Sequence, residues 1–131
     1  LYESLSVGMT VPAPGRTFTF AALEWEPDGA RFLERAGAAM KSASEKVDLS
    51  VGAAPDFAYY TSLPKIPFLS FTHVDLPDKT AGQPECAFGK FREADGKTFV
   101  PVGILVNHLF VDGADLGDLY EAASESFARA F

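Results

Sequence analysis

The segment FGKFREADGKTFVPVGILVNHLFVDGADLGDLYEA, residues 88–122, joins three patterns in one run, and the way they join decides the fold. Asp95-Gly96 stands between two stretches rich in aromatic and β-branched residues. A two-residue hairpin turn needs positive φ at both central positions, which this pair tolerates. Strands are therefore expected over residues 85–91 and 98–110, joined by that turn. Pro101 has no N–H to donate, so the second strand should lie at an edge or carry a bulge there. Beyond residue 112, Leu116, Leu119, Tyr120, Ala123 and Phe127 recur at helical spacing and predict a C-terminal helix over 113–131, packed on the sheet.

Working outward, TFTFAALEW (17–25) sets Phe18, Phe20 and Ala22 against Thr17, Thr19 and Ala21, the period of two of a half-buried strand. Residues 28–46 place Phe32, Leu33, Ala36, Ala39, Met40 and Ala43 on one helical stripe, with charges opposite. FAYYTSL (57–63) and FLSFTHVDL (68–76) read as strands bounded by prolines, and PDKTAGQPE (77–85) as an exposed loop. The expected fold is one α+β domain over residues 1–131, a mostly antiparallel sheet with helices gathered on one face.

Composition narrows the function. A chain of 131 residues can bury one core, and a net charge of −7 argues against a surface that grips nucleic acid, which needs clustered Lys and Arg. Cys86 is the single cysteine, so no internal disulfide forms, and no Cys/His spacing suits a metal. No apolar run is long enough to span a bilayer, and the N-terminus lacks a basic-then-apolar leader, so the expected setting is cytoplasmic, without a membrane partner. The chain opens at Leu1 within an apolar, strand-like stretch, which suggests a fragment of a longer protein.

His108 is one of two histidines, four residues before Asp112-Gly113. The residues alone allow two readings. In one, His108 is an ordinary strand histidine, Asp112 caps the helix and Gly113 serves the turn. In the other, a rigid strand end presents a neutral imidazole as a base toward an attacking hydroxyl or thiol.

What lies upstream carries a resemblance. LPKIPFLSFTHVDLP (63–77), followed by Gly89-Lys90-Phe91, a short polar hairpin, Pro101 and His108-x-x-x-Asp112-Gly113, resembles the chloramphenicol acetyltransferase family in order and spacing. The likeness covers nearly the whole chain and corresponds to the C-terminal two-thirds of the family's length. It implies a CoA-dependent O-acetyltransferase acting on a small hydroxylated acceptor, chloramphenicol or similar, in an antibiotic-resistance role. It also implies a homotrimer with its active site between subunits, acetyl-CoA as co-substrate and no metal.

Residue by residue, the resemblance makes His108 the general base and Asp112 a structural residue that pairs with an arginine from the family's N-terminal portion. A simple helix cap is the alternative for Asp112. Lys90 and Phe91 align with positions near the phosphates and adenine of CoA, and Tyr60, Phe68 and Phe71 are candidates for the acceptor pocket. Thr72 and His73 are candidates for holding the oxyanion, although His73 stands where the family often has a serine. Asn107 also departs from a common second histidine. Two rivals stand beside this reading: a non-catalytic, oligomerising fragment, and a dihydrolipoyl acyltransferase-like enzyme.

Overall fold

The computed structural model describes residues 3–49, 56–73 and 82–130. The main sheet has five strands: β1 (Ser6–Ala13), β2 (Thr17–Leu23), β3 (Phe57–Ser62), β4 (Glu85–Phe88) and β7 (Val102–Leu105), in the order β2-β1-β3-β4-β7. β5 (Arg92–Ala94) and β6 (Lys97–Phe99) form a separate hairpin. The helices are α1 (Gly29–Glu45) and α2 (Gly113–Ala130).

The expected α+β class holds, with a mixed main sheet. Its outer pairings, β1 with β2 and β4 with β7, are antiparallel, whereas its central pairings, β1 with β3 and β3 with β4, are parallel. A parallel neighbour cannot be reached through a tight turn, and α1 is the crossover that returns the chain from the β2 edge to β3.

Paired residues share a face and successive residues alternate. One face therefore carries Val11, Thr19, Ala21, Leu23, Ala58, Tyr60, Cys86, Phe88 and Ile104. α1 packs on its β1–β2 end, where Val11, Ala21 and Leu23 are buried against Ala36. Asp28 caps α1, its carboxylate accepting the Arg31 N–H at 3.0 Å. Of the predicted helix stripe, Ala36 is buried and Phe32, Ala39 and Ala43 are half-buried, while Leu33 and Met40 are exposed. In β2 the buried side is Thr19, Ala21 and Leu23, not the side of Phe18 and Phe20, which stack edge to face at 5.6 Å on the opposite face.

Thr19 is fully buried, and its hydroxyl donates to the Asp48 carbonyl at 3.0 Å while accepting the Asp48 N–H at 2.8 Å. These bonds seal the chain after α1 along β2. Thr19→Val keeps the shape but removes that acceptor, so a loss of about 1–3 kcal/mol in urea unfolding is expected.

Three expectations are corrected. Residues 68–73 form no strand, and 74–76 lie outside the described residues. β4 already has neighbours on both sides, and Pro64 and Pro67 lack donors, so this segment instead lies as a loop over the sheet. Of the loop expected at 77–85, only 82–84 are described outside β4, and they are irregular.

The expected strand 98–110 is broken at Val100-Pro101: β6 pairs within the hairpin, β7 pairs with β4, and His108 stands in the turn beyond β7. Pro101 marks the point where the chain changes sheets, and its carbonyl accepts the Gly89 N–H at 2.9 Å. The hairpin itself follows the expected turn, with φ of 52° at Asp95 and 70° at Gly96.

α2 does not pack along the sheet. Leu119, Tyr120 and Phe127 stay exposed, and its recorded polar tie is the Tyr120 hydroxyl donating to the Val102 carbonyl at 3.1 Å. The stripe has the period of a packed helix, but of its members only Leu116 and Ala123 are half-buried.

Candidate active site

β7 ends at Leu105, and the next residues close into a turn organised by Asn107. The Asn107 carbonyl accepts from the Phe110 and Val111 N–H groups at 3.0 and 3.2 Å, and its side-chain oxygen accepts from the Leu109 N–H at 3.0 Å. The turn carries His108 at the surface and brings its Nδ1 to 3.0 Å from the Val111 carbonyl. A carbonyl only accepts, so Nδ1 bears the proton, and the neutral ring's lone pair lies on Nε2. A ring so anchored can take a proton through Nε2 without reorienting.

Asp112 caps α2. Its Oδ1 accepts the Ala114 and Asp115 N–H groups at 2.7 and 3.1 Å, and the Asp115 carboxylate accepts the Asp112 N–H at 2.9 Å. This reciprocal box is the cap that one sequence reading expected, and among the described residues no ion pair is made by Asp112. The bonds from Asp115 and Ala114, more than the nearby His108, hold the Asp112 carboxyl below the usual range. A depressed carboxyl stabilises the folded form above its unfolded pKa and loses that contribution as pH falls through the folded value. The Ala114 and Asp115 amide NMR shifts should accordingly titrate with a midpoint below the ordinary Asp value of about 3.9. A midpoint at or above that value would mean that the box does not hold in solution.

Loop residues 66–73 lie over the sheet face opposite α1. The Lys90 N–H donates to the Ile66 carbonyl at 3.0 Å. Phe68 and Phe71 stack at 5.6 Å and fill space that glycines leave open. A side chain on Gly103 would meet Phe71 at 3.5 Å, and one on Gly89 would meet the Phe68 ring at 2.8 Å.

The loop also sets His73 against Phe71, edge to face at 4.8 Å, with Nδ1 3.1 Å from the Glu85 carboxylate. Glu85 is directly opposite Leu105 in the sheet, so this pair sits at the end of β7 from which the His108 turn departs. Thr72 is exposed between Phe71 and His73, on the same loop.

Not all candidate residues meet. Tyr60 is on the helix-covered face, stacked on Phe88 at 6.1 Å, whereas Phe68 and Phe71 cover the other face. Burial first, and the neighbouring Cys86 second, raise the Tyr60 phenol, and burial raises the Cys86 thiol, so both stay protonated at neutral pH. Lys90 and Phe91 are exposed beside the hairpin, where Arg92 lies 4.4 Å over the Phe99 ring. Gly113 opens α2 and has open space around it.

Glu85 was not singled out from the sequence. Its signal was a carboxylate opening an otherwise apolar strand, ECAF. Among the described residues, no group of three His, Cys, Asp or Glu side chains could hold a metal, and no helix is long and apolar enough to cross a membrane.

Neither a protein-family model nor a curated protein matches the chain. Solved structures do. A chloramphenicol acetyltransferase superposes with a TM-score of 0.82 at 18% identity, covering 92% of this chain and 60% of that one. The chain shares the fold of that chloramphenicol acetyltransferase over most of its length.

The fold is also similar to that of the dihydrolipoamide acetyltransferase of Azotobacter vinelandii, investigated for the catalytic roles of a serine, a histidine and an asparagine. There the TM-score is 0.64 at 18% identity, over 95% of this chain and 54% of that one. The cubic core of the pyruvate dehydrogenase multienzyme complex gives 0.59 at 18% identity, over 92% and 52%. The chain thus spans less than two-thirds of the length of each of these structures.

Proposed function

We propose that the chain carries the general base of a CoA-dependent O-acetyltransferase that moves an acetyl group from acetyl-CoA to a hydroxyl of a small acceptor, chloramphenicol or a similar molecule. The observation that carries this reading is the His108 ring, tied through Nδ1 to the Val111 carbonyl at the end of β7, with Nε2 left to act.

In the reaction, Nε2 removes the acceptor hydroxyl proton as that oxygen bonds to the thioester carbonyl carbon. The tetrahedral intermediate collapses, the carbon–sulfur bond breaks, and the proton passes from His108 to the CoA sulfur. The Thr72 hydroxyl stabilises the oxyanion. Lys90 and Phe91 meet the phosphates and adenine of CoA, and Phe68 and Phe71 form an apolar wall for the acceptor. Asp112 and Gly113 shape the turn that holds the base.

The site is completed between subunits of a homotrimer. The neighbouring, exposed Leu109 and Phe110 support that assembly, since large apolar side chains left at the surface mark interaction surfaces. The same exposure supports the rival of a non-catalytic assembling domain. A dihydrolipoyl acceptor is the third reading. The histidine and asparagine investigated in the Azotobacter enzyme have the same separation as His108 and Asp112.

The test is thiol release from acetyl-CoA with a panel that includes chloramphenicol, other hydroxylated acceptors and dihydrolipoamide. Acceptor-dependent release is expected, and the best acceptor separates the two enzymatic readings. Failure of the protein to bind acetyl-CoA in calorimetry at millimolar concentration would favour the non-catalytic domain.

A further inference from the structure

Both histidines are anchored through Nδ1, but their surroundings differ. His108 is exposed, with a neutral carbonyl as its anchor. The His73 side chain is only 10% exposed, its anchor is the Glu85 carboxylate, itself 18% exposed, and the Phe71 ring edge packs against it. Its Nε2 is buried and has no hydrogen-bond partner, the single such side-chain atom among the described residues.

A carboxylate accepts only, so Nδ1 bears a proton. A second proton on Nε2 would leave a donor orphaned in an apolar setting, the costlier kind of unsatisfied group. A bare lone pair on Nε2 is the smaller penalty. That penalty is removed when a donor arrives.

We propose that His73, positioned by Glu85, is a specificity-determining residue: its Nε2 accepts a hydrogen bond from an O–H or N–H group of the acceptor other than the hydroxyl being acylated. His108 then takes the reacting proton and His73 reads a second donor. The oxyanion role falls to Thr72, because a lone pair cannot stabilise negative charge. The Phe68–Phe71 pair beside His73 suits an acceptor whose donor is carried on an apolar or aromatic body. An occupant reaches Nε2 by displacing part of loop 66–73, since the atom is closed off in the free protein. The identity of the occupant rests on the acyl-transfer reading, whereas the tautomer does not.

The chain contains two histidines, so ¹⁵N-labelled protein gives two ring systems in long-range proton–nitrogen spectra, and His108→Ala assigns them. In the neutral ring, His73 is expected to carry its proton on Nδ1. Glu85→Gln, which keeps an acceptor oxygen, retains that tautomer, and Glu85→Leu shifts the ring toward the Nε2–H form. If the leucine variant does not fold, the wild-type and glutamine spectra still decide. A proton on wild-type His73 Nε2 at neutral pH, in either the other tautomer or the doubly protonated ring, overturns the proposal whatever the protein's activity.

Phenol is the donor probe and anisole its control. Phenol should shift the His73 Nε2 resonance and anisole should leave it unmoved. Equal responses, or none to phenol because a buried water already holds Nε2, would overturn the donor-reading role while leaving His108 chemistry to the thiol-release assay.

Discussion

His108→Ala is expected to lower acceptor-dependent thiol release from acetyl-CoA by about 10²–10⁴-fold, the range for losing a positioned general base. The large effect on rate should come with a small effect on stability. The ring is exposed, and its one recorded bond is the 3.0 Å contact to the Val111 carbonyl, so little burial is lost on truncation. Exposed substitutions away from special features usually stay within about 0.5 kcal/mol. The turn keeps its shape through Asn107 and the Asp112 cap, which alanine at position 108 leaves untouched. Turnover unchanged in this variant, with an unchanged melting curve, would remove His108 from the chemistry and leave it a turn residue.

Gly89→Val should destabilise the fold by overpacking. A Cβ at position 89 would stand 2.8 and 2.9 Å from two Phe68 ring carbons and 2.9 Å from Pro101 Cγ. Pro101 is rigid, so the strain falls on Phe68, and moving Phe68 disturbs its contact with Phe71 and with the Gly103 surface. Overpacking of this kind costs about 1–3 kcal/mol, visible as a lowered urea midpoint. Gly89→Ala should lie between wild type and valine. If both variants melt like wild type, the Phe68 ring has room to move and loop 66–73 is not seated as described.

The sequence was most legible where local chemistry acts alone. Asp95-Gly96 announced the hairpin, and Asp112 announced the start of α2, because caps and tight turns depend on a few neighbouring residues. Residues 68–73 misled because their aromatic members have strand propensity, which reports fit to a half-buried surface rather than strand pairing. Phe68 and Phe71 do lie on such a surface, but over glycines rather than between strands. The break at Pro101 was half legible: the missing N–H pointed to an interruption, but not to a change of sheet.

At the candidate site, His108 was singled out by its motif and context. The His73–Glu85 pair was not, since the two are 12 positions apart and meet only because the loop folds back over β4. Tyr60 was grouped with Phe68 and Phe71 on residue type alone. Sheet alternation puts it on the far side, which becomes readable only once the register of β3 on β4 is known.

The bond from the Tyr120 hydroxyl to the Val102 carbonyl joins points 18 positions apart and closes the chain between them into a ring. β7, the turn with His108, and the first two turns of α2 make up its circumference. His108 is thus located by closure of a short circuit, not by burial. Opening the ring at Tyr120 would return conformational entropy to every residue around it, His108 included.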